Sequence, residues 1–187
     1  RNQKFQTSDG FKSKFTQRLP IFSEDYAFLN GYDFSIYEQF NNDVVGSIYF
    51  YGRAINSITD EDVRISNRLY IPSRRLRGFE AGKIGPVDQG DFVGGNYASA
   101  LNFEAQLPNL LPEATQTDVA AFLDFGNLWS VDYDSSAGSS SKLRSSIGVA
   151  TQLYTPIGPV NFVLAQPITK ADSDITQTFK FQIGTSF

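Results

Sequence analysis

Along much of this chain apolar and polar residues take turns. In "YASALNFEAQL", residues 97–107, Leu101, Phe103, Ala105 and Leu107 fall on one face and Asn102, Glu104 and Gln106 on the other. The C-terminal "TFKFQIGTSF" repeats the pattern, with Phe179, Phe181, Ile183 and Phe187 opposite Lys180, Gln182, Gly184 and Ser186. Successive side chains of an extended backbone point to opposite sides, so a period of two with one polar face predicts a β-strand. The same reading predicts strands at about 11–19, 30–40, 43–56, 118–130, 143–155 and 159–168, with a weaker one at 2–7. The result is an all-β chain of about eight or nine antiparallel strands without a competing helix.

The connections carry a second pattern. Polar links at 134–142 ("DSSAGSSSK") and 169–175, and the long "LYIPSRRLRGFEAGKIGPVDQG" at 69–90, fall at one end of the strands. The tight "PIGP" turn at 156–159 falls at the other, where the link "PNLLPEATQT" at 108–117 is longer than the pattern asks for. This asymmetry, the long strands and an aromatic content of 14% fit a transmembrane β-barrel. A barrel in lipid satisfies every backbone group between strands, which explains continuous hairpins. A lipocalin-like or sandwich fold alternates as well, with its apolar side turned to a core. Periodicity alone leaves inside-out and outside-in open. In the membrane reading Leu101, Phe103 and Phe181 face lipid, while Asn102, Glu104 and Gln182 face a water-filled lumen.

Composition narrows the chemistry. Cys, His and Met are absent from the 187 residues, which excludes disulfides, thiolate and imidazole metal sites, and Cys or Ser-His nucleophile systems. A net charge of −4 offers no basic footprint for nucleic acid. No apolar run reaches the roughly 18 residues of a transmembrane helix. The chain opens at Arg1 without a methionine and without a signal peptide, and is expected to be a processed or excised piece of a longer protein.

Several segments, in order, carry a family resemblance: "RGFEAGKIGP", "GGNYASALNFEAQLP", "AAFLDFGNLW", "SSIGVATQLYTPIGPVNFVLAQPITK" and "FKFQIGTSF". Together, from about Leu69 to Phe187, they resemble the C-terminal part of the BamA family of outer-membrane insertases, within the bacterial surface antigen superfamily. Residues 1–68 fit less distinctly as preceding strands. The resemblance implies that residues 1–187 are the C-terminal half of a sixteen-stranded barrel, with a long lumen-folding loop at about 57–96 and with POTRA domains upstream that this chain does not contain. It implies a non-enzymatic assembly factor without cofactors, located in the bacterial outer membrane. Its partners would be unfolded outer-membrane client proteins, outer-membrane lipids and, through the POTRA domains, assembly-complex lipoproteins. Related readings are a translocation pore, TamA-like or of the two-partner secretion type, or a small passive barrel.

The resemblance also assigns residues. Arg77, Gly78 and Phe79 match the tip of the family's sixth extracellular loop, which folds back into the barrel. By motif match Glu104 and Asp124 are the lumen-wall partners of Arg77, and both lie on the lumen faces read from the alternation. A guanidinium engages carboxylates with parallel hydrogen bonds that lysine cannot copy. Gly78 would permit a turn closed to other residues, and Phe79 would anchor the tip. Leu76 stands where the family usually has a β-branched residue. Arg74 and Arg75 receive no lumen partner. The plainer reading, a solvated basic loop, loses ground once both acidic partner motifs are present. A paired-carboxylate hydrolase site is weaker still, since a nearby arginine keeps both carboxylates ionised. Finally, Phe179, Phe181, Gly184 and Phe187 resemble the C-terminal β-signal recognised during barrel assembly. Those aromatics, like Trp129, Tyr133 and Tyr154, also suit any barrel at the membrane interface.

Overall fold

The computed structural model of the protein describes residues 7–20, 26–133, 142–156 and 158–184. The chain runs through β1 (Gly10–Arg18), β2 (Ala27–Asn41) and β3 (Val44–Ser57) before entering the long loop, which holds a small hairpin of β4 (Val87–Asp88) and β5 (Asp91–Phe92). It continues through β6 (Tyr97–Gln106), β7 (Thr117–Trp129), β8 (Arg144–Thr155), β9 (Gly158–Thr169) and β10 (Phe179–Ile183). β1, β2, β3 and β6 to β10 form one eight-stranded antiparallel sheet in sequential order, a partial barrel with β1 and β10 at its edges. Apart from Thr7, the weaker strand predicted at 2–7 lies outside the described residues.

Burial settles which way the sheet faces. Phe11, Phe15, Ile36, Phe50, Phe103, Ile147, Leu164, Phe179, Phe181 and Ile183 are large apolar residues exposed on one face, spread from β1 to β10. On the opposite face Ser47, Asn102, Asp124, Arg144, Ser146 and Asn161 are buried. A water-soluble sheet would expose the polar face and bury the apolar one. A continuous apolar exterior around a polar interior is the signature of a wall standing in lipid.

The interior is largely packed by the loop. Residues 58–96 fold back across the inner face. Leu69, Ile71, Leu76, Phe79 and Ile84 of this loop pack with Tyr51, Ile55, Ala98, Ala100 and Leu128 of the wall in one buried cluster. Ala98 and Ala100 are the reason there is room, since small side chains on the inner face let the loop approach. The two limbs of the loop are joined where Leu69 and Gly95 exchange backbone hydrogen bonds of 2.8 and 3.0 Å. Below the loop tip a cavity of about 590 Å³ remains, lined in part by Lys12, Lys14, Asp33, Arg53, Arg74, Arg75 and Glu104.

Among the described residues the last strand, β10, covers the five residues Phe179–Ile183. Gly184, which follows, has φ of +118°, a conformation L side chains avoid. Phe187 lies outside the described residues.

Candidate functional site

Three inward-facing residues stand side by side in the wall. Asn102 of β6 is the register partner of Asp124 of β7, and Asp124 is the register partner of Ser146 of β8. All three are buried beneath the loop. A buried carboxylate requires a charged partner and filled hydrogen-bonding capacity, and the loop supplies both.

Arg77 provides the charge. Its Nε donates to Asp124 Oδ2 at 2.8 Å and its Nη2 to Asp124 Oδ1 at 2.7 Å, a two-pronged clasp. Its backbone N–H adds a third bond to Oδ2 at 3.0 Å. Nη1 donates to Glu104 Oε2 at 2.9 Å, so one guanidinium spans carboxylates on neighbouring strands. Asn102 Nδ2 donates to Asp124 Oδ1 at 2.9 Å and to the Arg75 carbonyl at 2.8 Å. Ser146 Oγ donates to the Arg77 carbonyl. The polar row therefore holds the loop by its backbone as well as its charge. Below, the Phe122 ring lies 3.6 Å from the guanidinium carbon, in cation–π geometry. Burial opposes the charge on Arg77, but the hydrogen bonds and charges of Asp124 and Glu104 outweigh it, and the pKa lies above its ordinary value.

Gly78 and Phe79 complete the tip. Gly78 has φ of +89°, and a Cβ there would stand 3.1 Å from Ala165 Cβ and 3.3 Å from Ser146 Cβ. Phe79 is buried and forms an antiparallel bridge with Thr176. Leu76, the departure from the β-branched residue, is also buried in the cluster around the tip.

Arg75 has a partner that sequence reasoning did not assign. Its Nη2 lies 3.9 Å from Asp33 Oδ1, and its guanidinium sits over Tyr49, 5.5 Å from the ring centre. Burial, and then repulsion from Arg74, push its pKa below the ordinary value. Asp33 is shared with Arg53, whose Nη2 donates to Asp33 Oδ2 at 2.5 Å. Sequence reasoning also missed Arg144 and Asp174. Both side chains are fully buried, and Arg144 Nε and Nη2 each donate to the Asp174 carboxylate at 2.9 Å. A lone arginine at the start of an inward-facing strand was the available signal.

The C-terminal aromatics lie elsewhere. Phe179 and Phe181 are on the lipid face of β10, packed against Phe162 at 6.5 and 5.3 Å between ring centres. Gly184 donates its N–H to the Pro159 carbonyl at 2.9 Å. They do not meet the Arg77 site.

A lipid-facing antiparallel wall with a loop clasped inside it defines an integral β-barrel of the bacterial outer membrane. The Omp85 superfamily domain matches residues 1–187, and the chain belongs to that superfamily. Among curated relatives, it is 30% identical over 156 residues to the outer membrane protein assembly factor BamA of Neorickettsia risticii, covering 79% of this chain and 20% of that protein. It is 28% identical over 141 residues to BamA of Neisseria meningitidis serogroup B, covering 60% of this chain and 17% of that protein. The chain thus spans about a fifth of the first relative's length. In fold it is similar to the crystal structure of BamA from Haemophilus ducreyi lacking POTRA domains 1–3, with a TM-score of 0.84 and 24% identity, covering 96% of this chain and 39% of that one.

Proposed function

We propose that this chain is the C-terminal wall of an outer-membrane assembly factor that folds and inserts β-barrel proteins into the bacterial outer membrane. The observation that carries this reading is a deeply docked loop beside a last strand, β10, that stands at the edge of the sheet among the described residues. The docked loop braces the inner wall, while β10, paired on one side only among the described residues, leaves backbone N–H and C=O groups of the sheet edge available. An unfolded client strand can add to such an edge, with alternating side chains setting its register. The work is done without catalysis, since the client's own burial and hydrogen bonding drive its folding. Clients are unfolded outer-membrane proteins, the surrounding solvent is outer-membrane lipid, and assembly lipoproteins bind through upstream POTRA domains.

The test is reconstitution. The full-length parent in lipid vesicles should accelerate folding of a urea-unfolded barrel client, read as a heat-modifiable shift in gel mobility, above the rate in empty vesicles. A client rate equal to that of empty vesicles, with passage of a soluble passenger into the lumen, would replace this reading with a translocation pore.

A further inference from the structure

The Arg77 tip rests on the wall on one side and on something less permanent on the other. Residues 175–177, just before β10, pair with it. Glu80 N–H donates to the Ile175 carbonyl, Ile175 N–H to the Lys83 carbonyl and Gln177 N–H to the Gly78 carbonyl, each at 3.0 Å. The next residue, Thr178, accepts from Ala165 N–H at 2.8 Å, and β10 begins at Phe179. One strip of backbone therefore belongs first to the loop tip and then to the last strand. From β10 itself, Lys180 Nζ reaches back to Ser73 Oγ at 2.5 Å.

Among the described residues the strip bridges only to the loop tip and to no strand of the wall, so something else must fix where it begins. Asp174, the residue before it, accepts both prongs of Arg144 and also the Ala171 N–H at 2.6 Å. Arg144 is anchored in turn to Asn127 Oδ1 at 2.5 Å. An ion pair with both side chains fully buried holds only one geometry well, since any displacement leaves a charge without a partner. That pair fixes where the strip starts.

We propose that Arg144 and Asp174 form a second latch, which positions the 175–177 strip so that docking of the Arg77 tip and pairing of the last strand rise and fall together. Arg144 and Asp174 act as positioning residues, through the strip. Resting on the insertase reading, the latch would let release of the loop loosen the strand at which a client adds.

The test uses the full-length parent in lipid vesicles without client, read by hydrogen exchange and by protease cleavage of the loop. Asp174→Asn should speed exchange at 175–183 and cleavage within 58–96 together, each on the order of tenfold or more, while exchange in β6 and β7 away from the tip stays slow. Gln177→Pro, which removes the bond to Gly78 without touching the buried charges, should loosen the same two regions. A Glu80→Cys/Ile175→Cys pair, oxidised, should restore loop protection in Asp174→Asn and lose it again on reduction. Loosening confined to one of the two regions in both variants, or no restoration by the disulfide, overturns the latch. Joint loosening here, with client insertion by the same variants unchanged in the separate reconstitution with client, would uphold the latch and count against the insertase reading.

Discussion

Arg77 meets Asp124 three times, through its backbone N–H at 3.0 Å, Nε at 2.8 Å and Nη2 at 2.7 Å. The Asp124 side chain is 0% exposed and that of Glu104 17%. Arg77→Ala would leave the first carboxylate unpaired in a buried site and the second partly compensated by water. Loss of one partner of a buried pair costs about 3–5 kcal/mol. The expected outcome is an undocked, protease-sensitive loop and slower client assembly in a barrel that still forms. Arg77→Lys should rescue only in part, because an ammonium cannot make the two-pronged clasp. A double-mutant cycle should find stronger coupling of Arg77 to Asp124 than to Glu104. Simple additivity for both would sink the clasp.

Gly78→Ala tests the backbone rather than the charge. The new methyl group meets Ala165 and Ser146 at a φ of +89°, and a non-glycine residue held there costs about 1–3 kcal/mol. Loop cleavage should rise while Arg77 and both carboxylates are unchanged. Wild-type protection in this variant would show that the tip tolerates another conformation.

Arg74 and Arg75, alike in sequence, should behave differently. Arg74 is exposed, whereas Arg75 stacks on Tyr49 near Asp33. Arg74→Ala should leave loop protection unchanged, and Arg75→Ala should cost up to about 1 kcal/mol, the range of partly exposed pairs. Equal effects, measured by cleavage rate, would argue against the Asp33 contact.

Cysteine labelling of a chain with no native cysteine tests orientation directly. Phe103→Cys, on the exposed apolar face, should react with a lipid-partitioning thiol reagent. Glu104→Cys should react with a small aqueous one, and Asn102→Cys, buried under the loop, with neither until the loop is released. Aqueous labelling at 103 with protection at 104 would reverse the assignment of faces.

At the last strand, Gly184→Val should impair assembly through backbone strain alone, since nothing lies within 4 Å of the added Cβ. Deletion of Phe187 tests the rest of the β-signal. Heat-modifiable mobility of the full-length parent, followed in time, gives the rate, and wild-type rates in both variants would remove the case for a signal here.

The strands were legible because alternation is local, and Phe103 and Glu104 carry their facing in their chemistry. Glu104 and Asp124 could be placed on inward faces for the same reason, although joining them to Arg77 took the family resemblance. The packed interior was harder to see. Ala98 and Ala100 interrupt the polar half of the β6 pattern, and small residues there mark close approach by another segment, not contact with water. The strip at 175–177 and Asp174 before it left no periodic trace, because irregular backbone is set by partners distant in sequence.

The row of Asn102, Asp124 and Ser146 makes the docked loop an inspector of its own wall. A slip of one residue between β6 and β7 would turn Asp124 toward lipid and Phe125 inward. A slip of two would carry Asp124 about 7 Å along the strand from Asn102, out of reach of the hydrogen bond that helps seat it. Only a wall assembled in a single alignment presents a mould that the Arg77 tip can fill. A wall paired out of register leaves the tip without its seat.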